Sequence, residues 1–239
     1  MGSNYLATGH YARVEQSRDG HRLLKAADTS RDQSYFLYTL TQEKLGRVLF
    51  PLGDYTKEEV KQAAEQGGLP TATRSSQDIC FVSQKNYGTF LREKFSPTPG
   101  DIVDTQGAIL GQHRGIAFYT IGQRHGLGLA SGRPLYIIKI EPGHNRIVLG
   151  EEKELYSRKA TAQKLNWIAD KVSPGPLNIT AKIRYRSKEA KASLFLNGDS
   201  ANTWFSQPQR AVAQGQAIVF YKGGEVLGGG IIVDGETGM

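Results

Sequence analysis

The chain has 239 residues, with 30 Lys+Arg against 23 Asp+Glu, a formal charge of +7 and 38% hydrophobic residues. That apolar content suffices to build cores and excludes a disordered chain, while no run approaches the ~20 apolar residues of a bilayer span. The one cysteine excludes an intramolecular disulfide and a multi-cysteine zinc site within this chain. The first residues lack a basic region followed by an apolar stretch, so no membrane association and a cytoplasmic protein are expected. The basic balance permits a polyanionic partner without demonstrating one.

In chain order, Tyr5 to Val14 reads as a strand entering a turn, with no earlier element to pair against. Met1-Gly2-Ser3 reads as an appended start, so a fragment of a longer protein is expected. A second strand, Arg22 to Ala26, follows the turn at Asp19-Gly20. Helical spacing then takes over: Asp32 to Leu40 is one helix, and Thr41 caps the next, whose Leu45, Val48 and Leu49 form an apolar stripe. Thr56 followed by Glu59 matches a capping box and opens a helix that ends near Gly67-Gly68. An extended segment around Cys80 and a helix from about Asn86 to Phe95 complete this α-rich part. Pro97-Thr98-Pro99-Gly100 is the clearest punctuation. Beyond it, Ile102-Val103, Ile109-Leu110, Ile116 to Thr120, Leu135 to Glu141 and Ile147 to Leu149 are short strands. Six more strands follow, near Leu165-Trp167, Asn178 to Ser187, Ala192 to Leu196, Asn202 to Phe205, Ala217 to Tyr221 and Val226 to Val233. Six short strands in that length predict a small closed barrel.

Several residues carry chemistry on inspection. Cys80, between Ile79 and Phe81, is either a small buried hydrophobe or a nucleophile able to hold a second sulfur, and no spacing decides between them. Gly9 in Thr8-Gly9-His10-Tyr11 marks either close approach of a ligand to the backbone or a plain tight turn. Arg31-Asp32-Gln33 opens a helix whose free N–H groups face an anion, or is capped by Asp32. Lys182, Arg184, Arg186 and Lys188 alternate, which on a strand makes a basic stripe about 20 Å long, with Tyr185 beside it. Gly122 to Gly128 lacks the ending of a phosphate-cradling loop and reads as a hairpin turn with Arg124 exposed. Gly228-Gly229-Gly230 reads as a barrel strand where backbones pack closely.

Taken together, Ala7 to Arg13, Arg31 to Leu37, Ser76 to Phe81, Gly122-Gln123-Arg124 with Gly126-Leu127-Gly128, and Phe220-Tyr221 with Leu227 to Gly230 closely resemble the tRNA-specific 2-thiouridylases. The resemblance implies an α/β remnant of an ATP-pyrophosphatase (adenine nucleotide hydrolase-like) domain over residues 1–96. A small β-rich central tRNA-binding domain over 97–152 and a C-terminal β-barrel over 153–239 complete the expected layout. The family's glycine- and serine-rich pyrophosphate loop and first catalytic cysteine have no counterpart here, so this chain alone is expected to be inactive.

Carried over by position, Gly9 matches a nucleotide-contacting glycine and His10 a tRNA-contacting position. Arg31, Asp32 and Gln33 match a tRNA-contacting tripeptide, and Arg184, Tyr185 and Gln216 match tRNA contacts on the barrel. Cys80 matches the persulfide-carrying cysteine. The family mechanism implies ATP, with Mg2+, as the reactant that adenylates the uracil C2 oxygen of the wobble uridine. The Cys80 persulfide then supplies sulfur, and the other cysteine resolves it through a transient disulfide. The implied partners are tRNA and a persulfide-donating relay protein or cysteine desulfurase. The alternatives are a stand-alone RNA-binding β-barrel module with a structural cysteine, and a β-rich interaction protein.

Overall fold

In the computed structural model, residues 2–70, 96–129, 132–169 and 175–235 are described. They form two compact units. The larger holds the N-terminal segment together with most of the C-terminal strands; the smaller holds the middle of the chain and residues 209–212.

The larger unit opens with strand β1 (Leu6–Ala7), then a hairpin of β2 (Ala12–Ser17) and β3 (Gly20–Lys25) turning at Asp19-Gly20, where Gly20 takes φ 123°. Helix α1 (Gln42–Leu45) is capped by Thr41, whose hydroxyl accepts from the Lys44 N–H. Strand β4 (Val48–Leu49) follows and pairs in parallel with β1, so the N-terminal strand does have a partner. The expected Leu45–Val48–Leu49 stripe is thereby corrected. The helix stops after Leu45, which is 1% exposed, and Leu49 on β4 faces solvent. Helix α2 (Lys57–Gln66) has its full capping box, Thr56 and Glu59 each satisfying the other's backbone N–H.

The smaller unit is a four-stranded sheet of β5 (Gly100–Val103), β6 (Ile109–His113), β7 (Tyr136–Glu141) and β8 (Arg146–Gly150), in the order β6-β5-β8-β7. Ile102, Ile137, Ile147 and Leu149 bury its core, with Tyr119 and Leu127 from the connecting segments. The strand expected over Ile116 to Thr120 is instead a 3-10 turn, Ile116–Phe118. Gly115 at φ 124° redirects the chain, and the Phe118 and Tyr119 N–H groups bond back to Gly115 and Ile116.

The remaining strands are β9 (Tyr156–Trp167), β10 (Leu177–Lys182), β11 (Ala190–Asn197), β12 (Ser200–Arg210), β13 (Ala217–Lys222) and β14 (Glu225–Asp234). They run β13-β10-β11-β12-β9-β14, and the β13–β14 pairing closes the six-stranded barrel. Closure leaves no open edge in the ring. The Gly228-Gly229-Gly230 run sits where the strands crowd. A Cβ at Gly228 would lie 2.3 Å from the Asn166 carbonyl oxygen, and one at Gly230 2.8 Å from that of Gln163. β14 also pairs with β3, setting Val226 opposite Leu23, so the N-terminal hairpin extends the barrel sheet. A common core seals that junction: Leu23, Tyr35, Tyr38 and Leu45 pack with Ile168, Val219, Tyr221 and Val226.

Two further expectations are corrected here. β10 stops at Lys182, and Arg184 to Ser187 form a turn in which the Ser187 N–H and hydroxyl both bond the Arg184 carbonyl, at 3.1 and 2.8 Å. Lys182, Arg184, Arg186 and Lys188 therefore do not form a period-two stripe. The helix expected over Asp32 to Leu40 shrinks to a 3-10 turn, Ser34–Leu37, in which the Phe36 and Leu40 N–H groups bond three residues back, to the Gln33 and Leu37 carbonyls, at 3.0 Å each. The segment around Cys80 and the helix expected over Asn86 to Phe95 lie outside the described residues. Among the described residues, no helix is long and apolar enough to cross a membrane.

Candidate functional site

Asp32 is 7% exposed and fixed. Its Oδ1 accepts from the Ala26 and Ser34 N–H groups, both at 3.2 Å, and its Oδ2 from the Ser34 hydroxyl at 2.9 Å. Its neighbour Gln33 reaches the other way. The Gln33 Oε1 accepts from the Tyr11 N–H at 2.9 Å, and the Gln33 N–H donates to the Tyr11 carbonyl at 2.8 Å. This two-bond clamp fixes the segment carrying Gly9 and His10 against the segment carrying Arg31. His10 Nδ1 lies 2.9 Å from the Thr8 hydroxyl, and its ring meets Phe50 edge-on at 6.4 Å. Gly9 is not in a tight turn with positive φ, and a Cβ there would meet only Leu52 Cδ1, at 3.7 Å. Neither turn geometry nor packing among the described residues demands a glycine at that position.

The 3-10 turn after Gln33 ties the N-terminal segment to the barrel. The Tyr35 hydroxyl donates to the Ala217 carbonyl at 2.9 Å, next to exposed Gln216. Burial pushes the Tyr35 phenol up to about 12, with Tyr38 adding to the rise and the Arg184 guanidinium opposing it. Phe36 points outward, 51% exposed, and its ring lies 4.4 Å from that of Tyr185, which in turn sits 6.3 Å from Tyr35. Lys182 Nζ is 5.7 Å from the Tyr185 ring centroid. The Tyr11 phenol is raised by burial first and by the nearby Asp28 carboxylate second, Arg31 working against both. Among the described residues, its hydroxyl is buried without a hydrogen-bond partner.

The structure therefore brings together most of the positions singled out from sequence. Gly9 and His10 are held by Gln33. Tyr185 and Gln216 lie at the two barrel segments that Phe36 and Tyr35 touch, and Arg184 is close enough to Tyr35 to bias its phenol. Arg31, Lys182 and Arg184 are partly exposed and Arg186 exposed, and Lys182 and Arg184 lie beside the tilted aromatic cluster of Tyr35, Phe36 and Tyr185. Asp32 differs from the rest: both of its oxygens serve the fold. Cys80 lies outside the described residues.

Phe36 is the member that sequence reading missed as a surface group. The available signal was its place beside Tyr35, since two adjacent large rings on a tight turn cannot both point inward. In the smaller unit, Arg124 is exposed as expected, but Gly122 to Gly128 is not a hairpin turn: it lies between the Ile116–Phe118 3-10 turn and β7, and β6 and β7 are not neighbours in the sheet. Gln123 bonds the Thr120 N–H and the His125 carbonyl at 3.1 and 2.9 Å. Residues 124–128 border a cavity of about 460 Å³ lined in part by Arg124, His125 and Arg133. Among the described residues, no group of three or more His, Cys, Asp or Glu could hold a metal ion.

Comparison with known proteins places these features in context. Residues 1–84 match a family model described as a tRNA methyl transferase HUP domain, residues 88–151 a tRNA methyl transferase PRC-barrel domain, and residues 157–232 an aminomethyltransferase beta-barrel domain. The chain is similar to the tRNA-specific 2-thiouridylase of Acetivibrio thermocellus, 46% identical over 238 residues that cover 97% of this chain and 66% of that protein. It is also similar to those of Moorella thermoacetica, 46% identical with 97% and 67% covered, and Desulforudis audaxviator, 48% identical with 97% and 68% covered. The chain spans about two thirds of the length of these relatives.

Proposed function

The chain belongs to the tRNA-specific 2-thiouridylase family, and from that premise we propose that it carries the tRNA-gripping part of a wobble-uridine 2-thiolating enzyme together with its sulfur-carrying Cys80. The observation that supports this reading best is the convergence of Arg31 to Phe36, Arg184-Tyr185 and Gln216 on one region, although more than 140 residues separate the first set from the second. Guanidinium groups supply phosphate contacts, and the exposed Phe36 ring supplies a face on which an unstacked base can stack. The Gln33 clamp adds Gly9 and His10 on the neighbouring segment.

The chemistry that fits Cys80 is sulfur transfer. A uracil C2 oxygen is a poor leaving group, so ATP, the second substrate, first adenylates it. The terminal sulfur of a Cys80 persulfide then attacks C2, and AMP departs with the oxygen. The bond from Cys80 to the transferred sulfur breaks when a second thiol attacks Cys80, leaving a disulfide to be reduced. Residues 1–239 hold one cysteine, Cys80, so that second thiol is not among them. The domain boundaries at 96–97 and 152–153, the cytoplasmic setting, Mg2+ and a persulfide-donating relay protein or cysteine desulfurase belong to the same proposal.

Two measurements test it. Incubation with a persulfide donor should add ~32 Da to the native chain and nothing to Cys80→Ser, the mass of one sulfur held as a persulfide; equal labelling of both removes Cys80 from the reaction. Binding of tRNA should weaken steeply with salt, and Arg31→Ala with Arg184→Ala should lower the slope of log K against log salt by about 1 to 2, one unit per lost phosphate contact. A double variant with an unchanged slope refutes the interface. Binding without persulfide formation favours the alternative of a stand-alone RNA-binding module with a structural cysteine.

A further inference from the structure

The glycine-containing segment of the smaller unit has no place in the site above. Gly122 to Gly128 joins the Ile116–Phe118 turn to β7. Gly126 takes φ 75° and Gly128 φ 72°, while Leu127 between them is outside the left-handed region. Such alternation turns successive N–H groups toward one concavity, the arrangement that receives anions in phosphate-binding loops. Among the described residues, none of the N–H groups of Arg124 to Gly128 donates a hydrogen bond. Leu127 anchors the segment, since it is 8% exposed and belongs to the core of Ile102, Ile137 and Ile147. Arg124, His125, Gly126 and Gly128 stay exposed around it.

The same residues line the cavity of about 460 Å³, whose further charged member is Arg133 and whose apolar lining includes Leu129, Leu135 and Leu149. No carboxylate is among its described lining residues. Arg133 does carry a counter-charge: Glu151 lies 3.1 Å away and is shared with Lys153 at 3.0 Å. That carboxylate lines a neighbouring cavity of about 600 Å³, together with Asp104 and Glu154. The two cavities share Arg133 and the three leucines but differ in sign, and an anion is directed to the first. A guanidinium donates hydrogen bonds and never accepts them. A neutral guest rich in donors would therefore desolvate Arg124 without satisfying it, whereas an oxyanion returns several acceptors at once.

We propose that Gly126 to Gly128, with the side chains of Arg124 and Arg133, form a phosphate-binding site in the smaller unit. The loop N–H groups and the Arg124 guanidinium take the phosphate oxygens, and Arg133 adds charge while keeping Glu151. A water occupies about 30 Å³ of liquid, so the cavity has room for more than one phosphate group. The ligand is accordingly a polyphosphate or a phosphoester, and a nucleotide or an RNA backbone offers that chemistry. The site stands on the loop and its cavity, independently of the tRNA reading.

Backbone-amide NMR of the whole chain reads it, with pyrophosphate as the probe and sodium chloride holding the ionic strength constant. The Gly126, Leu127 and Gly128 amides should shift saturably. Arg124→Ala should weaken that binding about tenfold, the loss of one charge-assisted hydrogen bond, and Arg124→Lys should recover part of it. Arg124 is exposed, so neither change should disturb the amides of the core. AMP and tRNA transcript, each added to the pyrophosphate-saturated chain, then identify the source. Release by AMP assigns the site to a nucleotide and release by tRNA to an RNA backbone, and either supports the proposal. Release by neither marks an adventitious ion only and overturns it. So do amide shifts that sodium chloride alone reproduces, or an affinity unchanged in Arg124→Ala. Pyrophosphate binding is read without RNA, so its failure leaves the tRNA reading standing.

Discussion

Replacing Gly229 by Ala tests how the barrel and the N-terminal segment are joined. A Cβ at this position would lie 2.6 Å from the Ile218 carbonyl oxygen and 2.6 Å from Tyr38 Cδ2, closer than real Cβ contacts allow. Neither neighbour can yield freely. Ile218 is paired with Gly230 in the ladder that closes the barrel, and Tyr38 is 7% exposed within the shared core. Overpacking of a filled core costs about 1–3 kcal/mol, and a double clash that includes backbone belongs near the top of that range. At about 2–4 °C per kcal/mol for a chain of this size, the melting temperature should fall by roughly 5–10 °C. Gly224 is the control: a Cβ there meets nothing within 4 Å and its φ is not positive. Gly224→Ala should be neutral or stabilise by about 0.4–1 kcal/mol through the unfolded chain. Urea unfolding followed by tryptophan emission compares the two. Coincident midpoints would refute the close-packing argument. Since Tyr38 adjoins the Ser34–Leu37 turn, a folded Gly229→Ala should also bind tRNA less tightly, although residue 229 is buried.

Three other outcomes are expected. Gln42 uses its side chain three times, donating to the His21 and Ile168 carbonyls at 2.8 and 2.7 Å and accepting from the His21 N–H at 2.7 Å. Gln42→Ala should therefore cost about 2–3 kcal/mol in urea unfolding, at about 1 kcal/mol per hydrogen bond. Thr56→Ala breaks the capping box of a helix that buries none of its residues, so about 1 kcal/mol should be lost from hydrogen-exchange protection of residues 57–66, with the global midpoint unmoved. Glu141 is held down to about 2 by its hydrogen bonds to Lys139 and then Arg146. A lowered carboxylate stabilises the fold above its ordinary value of 4.5, and the gain is lost as pH falls toward 2. With Lys139 59% and Arg146 40% exposed, solvent screening limits the effect to about 1 kcal/mol, and Glu141→Gln should flatten that window in acid titration of stability.

Local signals were the legible ones. The capping box at Thr56, the hairpin turn at Asp19-Gly20 and the close-packed Gly228 to Gly230 strand each depend on a few adjacent residues, and each stands as read. The six barrel strands were also visible, because turn residues punctuate them at short intervals. What the sequence concealed was tertiary. The spacing of Lys182, Arg184 and Arg186 suits a strand, yet Ser187 folds its hydroxyl back onto Arg184 and ends the extended run first. The spacing of Tyr35, Phe36 and Leu40 suits a helix, yet the N–H groups there bond three residues back and the Tyr35 hydroxyl is held by the Ala217 carbonyl of the barrel. The candidate site was read as separate points, since no local pattern brings residue 35 to residue 217.

That contact explains why the site belongs to the union of the two segments and to neither alone. Tyr35 bonds Ala217 on the barrel; two residues earlier, Gln33 clamps Tyr11; Tyr11 adjoins His10 and Gly9. The link is short and each step is buried or doubly bonded, so a displacement at β13 passes to the Gly9 segment with little slack. The shared sheet reinforces it, because β3 pairs with β14 while Leu23 and Val226 close the same core. An RNA held by Arg184, Tyr185 and Gln216 would thus be registered against the segment proposed to meet the nucleotide, through packed side chains and hydrogen bonds instead of a flexible linker. For a reaction that must place one base beside one activated phosphate, such fixed registration is the physical requirement.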